Sequence, residues 1–280
     1  MLKKIKFLAP ASALVAAMSA GVANAGQGLA HPWQMWFQPA ASPVMEQIEK
    51  FHDLVFAIEV VIVLLVLGIM LYIMIRFNSK ANPMPSKNTH NTALEVIWTV
   101  VPIIVLVVIA VPSFKLLYYA DHIEKADMTL KVTGNQWFWS YTYPDNGDIQ
   151  FDSIIVPAED LKPGQPRMLT VDNPVILPVQ TNIRVLLNSN DVIHNWAVPA
   201  FGLKLDTSPG RINENWVRIN SEGDYYGMCS ELCGVNHGFM PIHVHAVSKA
   251  DFAKWVAEKK KAARADGDPA VRVVQAAPVR

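Results

Sequence analysis

Two long apolar stretches dominate the first half of the chain, at residues 54–75 and 96–114. The first contains a single charged residue, Glu59, and the second contains none. A helix that spans the hydrocarbon core of a bilayer needs about 20 apolar residues, and both stretches provide that length. The pattern therefore predicts a transmembrane hairpin, with helices over residues 51–77 and 94–118 and a connecting loop over residues 78–93.

The first 25 residues form a third apolar stretch of a different kind. Three lysines precede a short run rich in small residues, and Ala23-Asn24-Ala25 follows as a small-residue cleavage motif. This predicts a signal peptide over residues 1–25, with an uncleaved anchor helix as the alternative. The connecting loop of the hairpin is basic and lacks acids, and short basic loops stay in the cytoplasm. We therefore expect both ends of the hairpin on the outer side, with residues 26–50 before it and the part of the chain that follows the second helix.

After residue 121 the pattern changes to short β-prone segments separated by Pro-Gly, Asp-Asn-Gly and Asn-Pro turns. Many short strands at this spacing predict an all-β sandwich or barrel over residues 121–248. Residues 249–264 are expected to form a helix, and residues 265–280 a disordered tail. The predicted strands lie at residues 129–132, 137–143, 167–171, 182–187, 215–219 and 241–247.

Composition narrows the possible functions. Apolar residues make up 51% of the chain and the mean hydropathy is +0.21, in keeping with membrane segments. The 24 basic and 24 acidic residues cancel, so no basic excess points to nucleic acid. The two cysteines, Cys229 and Cys233, exclude a disulfide-rich scaffold and a Cys-x-x-Cys-His haem attachment site.

Soft metal-binding side chains are concentrated in one segment. Cys229, Cys233 and His237 follow at steps of four, and Met240 comes three residues later. Glycines and a proline within this segment favour a loop between two strands over a helix. A further histidine, His194, ends an upstream strand-like run. Thiolate, imidazole and thioether donors select copper, zinc or iron–sulfur clusters.

Counting donors separates the candidate metals. A mononuclear blue-copper site uses one cysteine, so this set has one too many. Tetrahedral zinc uses two cysteines and two histidines and leaves Met240 without a role. Two coppers bridged by both thiolates use every donor, and the count favours this arrangement. A disulfide between the cysteines remains open, because the expected compartment is oxidising.

The segment CSELCGVNHGFMP at residues 229–241 resembles the dinuclear copper loop of cytochrome c oxidase subunit II. GNQWFWSY at residues 134–141 resembles the aromatic segment of that family, and HNWAVP, GLKLD and PGR within residues 194–211 resemble its intervening blocks. The resemblance extends from about residue 38 to residue 255. It implies a two-helix membrane anchor that carries a cupredoxin-like, Greek-key β domain.

The resemblance also implies roles for particular residues. Cys229 and Cys233 correspond to the bridging thiolates of a dinuclear copper A centre, and His194 and His237 to its terminal imidazoles. Met240 and the backbone carbonyl of Glu231 correspond to its weak ligands.

Roles around the copper centre follow from the same resemblance. The Glu231 carboxylate corresponds to a magnesium ligand at the interface with subunit I, with Asp206 as a candidate helper. Trp137 corresponds to the point where electrons from cytochrome c arrive. Glu95 corresponds to the entrance of a proton channel.

Acidic residues near the aromatic segment are expected to dock a basic cytochrome c, because such charges raise association rates. A merely solvated face is the alternative. The expected docking acids are Asp145, Asp148, Asp152, Glu159, Asp160 and Asp172.

The predicted function is to accept electrons from cytochrome c and pass them to the haems of an oxygen-reducing, proton-pumping oxidase. The oxidase is expected in a bacterial inner membrane, with the copper domain on the periplasmic side. The expected partners are cytochrome c, oxidase subunits I and III and membrane lipids, with haem held only by subunit I. Three alternative functions are a quinol oxidase subunit II, which lacks the copper ligands; a nitrous oxide reductase, which lacks the hairpin; and a membrane-tethered copper chaperone.

Overall fold

The computed structural model describes residues 28–122, 125–265 and 272–273. The predicted signal peptide and most of the predicted C-terminal tail lie outside these residues. The described chain consists of two long apolar helices, a β domain of two sheets and one further helix. The predicted architecture of a helix hairpin followed by an all-β domain is confirmed.

The first helix, α1, spans Pro43–Arg76 and begins well before the predicted residue 51. Its start is fixed by a cap: the Ser42 hydroxyl accepts a hydrogen bond from the Met45 N–H at 3.0 Å, and Pro43 occupies the first turn. Polar residues at positions 46, 47, 49 and 50 interrupt the first two turns, so the apolar pattern does not reveal them. At 34 residues, α1 is long and apolar enough to cross a membrane.

The second helix, α2, spans Thr92–Asp121 and also meets the length and composition of a membrane span. The Asn91 side chain accepts a hydrogen bond from the Leu94 N–H at 3.2 Å and caps its start. Pro102 and Pro112 lie inside the helix, as membrane helices tolerate. The two helices pack against each other as a hairpin.

The β domain contains two sheets with strand orders β11-β3-β2-β1-β5-β8 and β4-β10-β9-β6-β7. Most neighbouring strands are antiparallel, and β1–β5, β4–β10 and β3–β11 are parallel. The strands are β1 Met128–Asn135, β2 Phe138–Tyr143, β3 Ile149–Ser153, β4 Val175–Pro178, β5 Ile183–Ser189, β6 His194–Val198, β7 Leu203–Thr207, β8 Asn213–Val217, β9 Gly223–Cys229, β10 Pro241–Val247 and β11 Arg272–Val273.

The core between the sheets is unusually aromatic. Trp139, Tyr141 and Tyr143 alternate along β2 and are fully buried, as is Trp196 on β6. The Trp196 indole N–H donates to the Tyr141 hydroxyl at 3.2 Å, so the two sheets are joined by a polar contact inside the core. This satisfies both buried polar groups, which would otherwise destabilise the fold.

One predicted strand is wrong. Residues 167–171 form a turn, in which the backbone N–H groups of Leu169 and Thr170 both donate to the Pro166 carbonyl. Met168 adopts a positive φ of 69°, which a strand does not permit. Only Val171 joins a sheet-like bridge, with Ile155. The prediction failed because β-branched and apolar residues in this segment outweighed the turn signal of the proline.

The β domain is fastened to the start of α1 by backbone and side-chain hydrogen bonds. The Ala41 N–H donates to the Ala200 carbonyl at 2.8 Å, and the Asn220 N–H donates to the Ala41 carbonyl at 2.9 Å. The Ser42 hydroxyl, which caps α1, donates to the Phe201 carbonyl at 2.6 Å. The residue that starts the membrane helix therefore also fixes its position against the β domain.

The C-terminal helix, α3, spans Lys249–Ala265 and covers one end of the core. Its start has the hydrogen bonds of a cap, with the Asp251 N–H donating to the Ser248 hydroxyl at 3.1 Å. Phe252 and Trp255 pack against Tyr143, whose ring centroid lies 5.1 Å from that of Trp255. This helix thus seals the end of β2 where the aromatic core begins.

Gly227 on β9 gives a direct test of how tightly the sheet is built. A Cβ atom placed there would lie 1.9 Å from the Ala197 carbonyl oxygen of β6. We expect Gly227→Ala to lower the free energy of unfolding by about 3 kcal/mol, because backbone on both sides would have to move. Thermal unfolding of the detergent-solubilised chain, followed by circular dichroism, measures the effect. Gly68→Ala, where nothing lies within 4 Å, is the matched control; equal losses in both variants would contradict the packing described.

Candidate metal centre

The predicted copper ligands come from three places in one sheet. His194 begins β6, Cys229 ends β9, and Met240 directly precedes β10. Cys233 and His237 lie in the loop between β9 and β10. Because β9 pairs with both β6 and β10, the strand ends bring all five side chains to the same edge of the domain.

The donor atoms converge on one point. The Cys229 and Cys233 sulfurs lie 3.8 Å apart, and His194 Nδ1 lies 4.0 Å from the Cys229 sulfur. His237 Nδ1 and the Met240 sulfur lie 3.6 Å and 3.5 Å from the Cys233 sulfur. The ligand atoms of His194, Cys229 and Cys233 all fall within 4.8 Å of one another.

The backbone carbonyl of Glu231 completes this set, 3.4 Å from the Cys229 sulfur. All six groups that the resemblance names as copper ligands are therefore adjacent in the structure. Cys229, Cys233, His194 and Met240 are buried, while His237 is half-buried. A metal held here would be shielded from solvent on most sides.

The two cysteines are thiols in this structure. Their separation is well beyond the roughly 2.05 Å of a disulfide bond, so the disulfide alternative is not what the fold presents. Two thiolates bound to one metal at about 2.3 Å each can lie up to about 4.6 Å apart. The observed spacing therefore fits sulfurs that share a metal.

Ionisation of one of the two cysteines disfavours ionisation of the other. Burial works to raise the pKa of Cys229, but hydrogen bonding to His194 and to backbone groups lowers it to about 6. Burial, together with the negative charge of Cys229, raises the pKa of Cys233 to about 12. The second thiol therefore holds its proton at neutral pH unless a cation compensates the charge, and bound metal provides that compensation.

Asp191 orients His194, the buried candidate ligand, and the sequence analysis did not identify it. Its carboxylate lies 2.8 Å from His194 Nε2, so Nδ1 is the nitrogen that faces the sulfurs. The same carboxylate accepts hydrogen bonds from the backbone N–H groups of Gln136 and Val192, both at 2.6 Å. An acid three residues before a candidate histidine ligand is the signal that could have revealed it, since metal-bound histidines commonly donate to carboxylates.

The aromatic segment encloses the copper loop on one side. The Trp137 indole N–H and the Gln136 side-chain amide both donate to the Cys233 carbonyl, at 3.2 Å and 2.8 Å. Trp137 is half-buried, and its ring contacts Gly234, where an added Cβ would lie 2.9 Å from the ring. Trp137 is therefore in direct contact with the residue that follows a thiolate ligand.

Trp139, two residues later, lies beneath the site. Its indole N–H donates to the Met240 carbonyl at 3.3 Å, and its ring centroid lies 5.8 Å from that of His194. It is fully buried, which matches ordinary core packing as well as support of the ligands. The sequence predicted that this aromatic segment is important. It did not distinguish the buried Trp139, which supports the candidate ligands, from the partly exposed Trp137.

The expected magnesium ligands lie on either side of Asn195. The Asn195 side chain donates to an Asp206 oxygen at 2.7 Å, and its carbonyl accepts from the Ser230 N–H at 3.1 Å. Glu231, the next residue, is exposed. Asp206 and Glu231 thus both lie near Asn195, Asp206 through a direct hydrogen bond and Glu231 as the neighbour of Ser230.

The expected docking acids separate into two groups. Asp152 pairs with Ser140 near the copper end of β2, and its carboxylate accepts from the Ser140 hydroxyl at 2.6 Å. Asp145 and Asp148 lie beyond the opposite end of β2, which is about 10 Å from Ser140 at 3.3 Å per residue. Of the remaining three acids, Asp172 accepts a hydrogen bond from the Ile154 N–H at 2.8 Å. Glu159 and Asp160 lie in an exposed turn after β3.

Glu95 lies far from this cluster, in the first turn of α2 at the other end of the hairpin. Its side chain is exposed, and its backbone N–H donates to the Asn91 carbonyl at 3.0 Å. The favourable interaction of an acid with a helix N-terminus accounts for its position without any further role.

Two family profiles cover most of the chain. "Cytochrome C oxidase subunit II, transmembrane domain" matches residues 30–116, and "Cytochrome C oxidase subunit II, periplasmic domain" matches residues 128–247. The boundary between them falls between α2 and β1. The copper loop and the aromatic segment both lie within the second match.

Individual relatives are similar over the same span. The probable cytochrome c oxidase subunit 2 of Rickettsia bellii is 54% identical over 83% of this chain and 86% of its own length. That of Rickettsia felis is 52% identical over 85% of this chain and 76% of its own. The crystal structure of the periplasmic domain of subunit II of cytochrome oxidase (CoxB) of Bradyrhizobium japonicum is 51% identical, with a TM-score of 0.47, and covers 50% of this chain and 99% of that domain. By the two profiles and the identities of the two Rickettsia relatives, the chain belongs to the cytochrome c oxidase subunit II family.

Proposed function

We propose that this chain receives electrons from cytochrome c at a dinuclear copper A centre and passes them to haems held by subunit I. There they reduce O2 to water, coupled to proton pumping. The observation that carries the proposal is the convergence of two thiols, two imidazoles and a thioether. The two cysteine sulfurs at its centre lie 3.8 Å apart.

The residues present fit two copper ions. Cys229 and Cys233 would bridge them, His194 and His237 would bind one each, and Met240 and the Glu231 carbonyl would complete the set. When bound, the pair of coppers supplies a one-electron carrier that changes its geometry little between oxidation states. The chain holds the ligands in place from three strand ends, and burial keeps water from the sulfurs.

Trp137 is the proposed point where electrons arrive. Its partly exposed ring reaches the surface, while its N–H is hydrogen-bonded to the carbonyl of the ligand Cys233. The route from the surface to a thiolate therefore crosses one hydrogen bond and then follows covalent bonds within a single residue. No other tryptophan among the described residues donates to a ligand carbonyl while remaining partly exposed.

The surface around Trp137 suits a basic, haem-bearing partner. Apolar side chains next to the ligands are exposed, namely Val192, Ile193, Leu232, Val235 and Phe239. Asp152 and Asp172, on the copper side of β2 and β3, are the expected acids best placed to steer cytochrome c. Asp145 and Asp148, beyond the opposite end of β2, and Glu159 and Asp160, in the turn after β3, complete the proposed docking group.

Further roles belong to the same proposal. Glu231 and, through water, Asp206 would hold magnesium at the interface with subunit I, since hard oxygen donors suit that ion. Glu95 would lie at the cytoplasmic mouth of a proton channel into subunit I. Subunit III and membrane lipids are further expected partners, and the bacterial inner membrane is the expected location, with the β domain periplasmic.

The copper-free and chaperone alternatives are less well supported. A quinol oxidase subunit II would lack these ligands, whereas all of them are present and adjacent here. A chaperone must release its metal to a partner, and three of the four strong donors here are fully or nearly fully buried. That burial favours a resident centre.

Trp137→Phe tests the proposed route for electrons. Because the substitution removes the hydrogen bond to the Cys233 carbonyl, we expect reduction by cytochrome c to slow by at least an order of magnitude. Copper content and the optical spectrum of the centre should remain unchanged. Stopped-flow mixing of the oxidase complex with reduced cytochrome c measures the rate. Trp36→Phe is the control, since Trp36 is also partly exposed and hydrogen-bonded, to Asp53, but lies beside α1. Equal rates in both variants would remove Trp137 from the route.

Asp191→Asn tests the support of His194. The amide keeps the shape of the carboxylate but loses its charge, so the imidazole becomes a weaker copper ligand. We expect copper affinity to fall by about 10- to 100-fold, and the reduction potential of the centre to change. Competition against a chelator and potentiometric titration measure the two effects. Asp148→Asn, at an exposed position beyond the far end of β2, is the matched control; unchanged affinity and potential in Asp191→Asn would show that the contact is only structural.

A further inference from the structure

A groove of about 420 Å³ lies between α1 and α2 near their periplasmic ends. Each helix lines it with one regular stripe of residues spaced three and four apart. On α1 the stripe is Gln47, Lys50, Phe51 and Leu54, and on α2 it is Pro112, Lys115, Leu116 and Tyr119. The two stripes face each other, with one lysine in each.

The two lysines lie at the same depth. Lys50 is seven residues inside the start of α1 and Lys115 six residues inside the end of α2, so each is about 10 Å from its helix end at 1.5 Å per residue. Lys115 directly follows the apolar stretch 96–114, and Lys50 lies four residues before the stretch 54–75. Both ammonium groups are therefore at the boundary between the hydrocarbon core and the headgroups.

Aromatic side chains mark the same level independently. Tyr119 closes the groove, and Trp36 packs edge-on against Phe56 while its indole N–H donates to Asp53 at 3.1 Å. Tryptophan and tyrosine concentrate at the membrane–water interface, where an apolar ring meets a polar edge. The groove thus opens at the headgroup level of the outer leaflet.

The lining of the groove carries two lysines and no acid. Neither Lys50 nor Lys115 forms an ion pair with any of the residues that the structure describes. Glu46 and Asp53 lie one turn before and after Lys50 but outside the lining, and no acid lies within four residues of Lys115 on α2. Two cations above an apolar floor of Phe51, Leu54 and Leu116 complement a molecule with an anionic head and an apolar chain.

We propose that this groove binds one anionic phospholipid of the outer leaflet. Its phosphate lies between Lys50 and Lys115, with the Gln47 amide and the Tyr119 hydroxyl available as further donors, and an acyl chain runs down the seam between the helices. The lipid joins the two helices of the hairpin at the end next to the β domain. The start of α1 is hydrogen-bonded to that domain, so a lipid held here also steadies the position of the β domain over the membrane.

The test uses the intact oxidase complex in nanodiscs with equal amounts of phosphatidylglycerol and phosphatidylcholine. Native mass spectrometry counts the phosphatidylglycerol that remains bound after release from the nanodisc. We expect Lys50→Gln with Lys115→Gln to lose one bound phosphatidylglycerol and to weaken its binding by about fivefold per lysine, or about 30-fold for the pair. Lys50→Arg with Lys115→Arg should retain it.

Lys204→Gln with Lys249→Gln is the control, because it removes the same charge from exposed positions on β7 and at the start of α3. A phosphatidylglycerol with a photoreactive acyl chain should label residues 47–54 and 112–119 in the wild-type complex and not in the double glutamine variant. Unchanged lipid retention in that variant would overturn the proposal. So would labelling that is absent in the wild-type complex because another subunit fills the groove.

Discussion

Two sulfurs held 3.8 Å apart in a buried place impose the main constraint on this structure. Both must be ionised to bind metal, yet two buried negative charges at that distance repel each other strongly. Burial, together with the negative charge of Cys229, raises the pKa of Cys233 to about 12. Both thiolates can persist only where a bound cation balances their charge. The histidines, the carbonyl of Glu231 and the thioether of Met240 lie next to the sulfurs as further donors for such a cation.

The rest of the β domain serves to hold these donors still. His194 is tied to Asp191, the Cys233 carbonyl to Trp137 and Gln136, and the Met240 carbonyl to Trp139. These contacts come from the turn between β1 and β2, from β2 and from the turn before β6, so both sheets contribute to one site. The capped start of α1 then fixes the domain against the membrane hairpin through Ser42 and Phe201. Site, domain and anchor are thereby connected through a few short hydrogen bonds.

The sequence predicted the parts of this structure that depend on local pattern. Apolar length revealed both helices, and the spacing of Cys229, Cys233, His237 and Met240 revealed the loop of ligands. It placed the start of α1 too late, because polar residues interrupt the apolar pattern in the first two turns, and it predicted a strand at residues 167–171 where the structure has a turn. It missed Asp191 although that acid lies only three residues before His194, and the further contact of its carboxylate with the backbone of Gln136 depends on the pairing of distant strands. For the same reason it grouped six acids that the two ends of β2 keep apart.

The most direct test of the account is the copper content and electron paramagnetic resonance spectrum of the purified, oxidised chain. The account predicts two coppers per chain sharing one unpaired electron. The electron then couples equally to both nuclei, and the spectrum shows a seven-line hyperfine pattern. A single copper with a four-line pattern would contradict it, as would a reduced chain that binds no copper stably. Either result would show that the donors gathered here do not form a dinuclear electron-transfer centre.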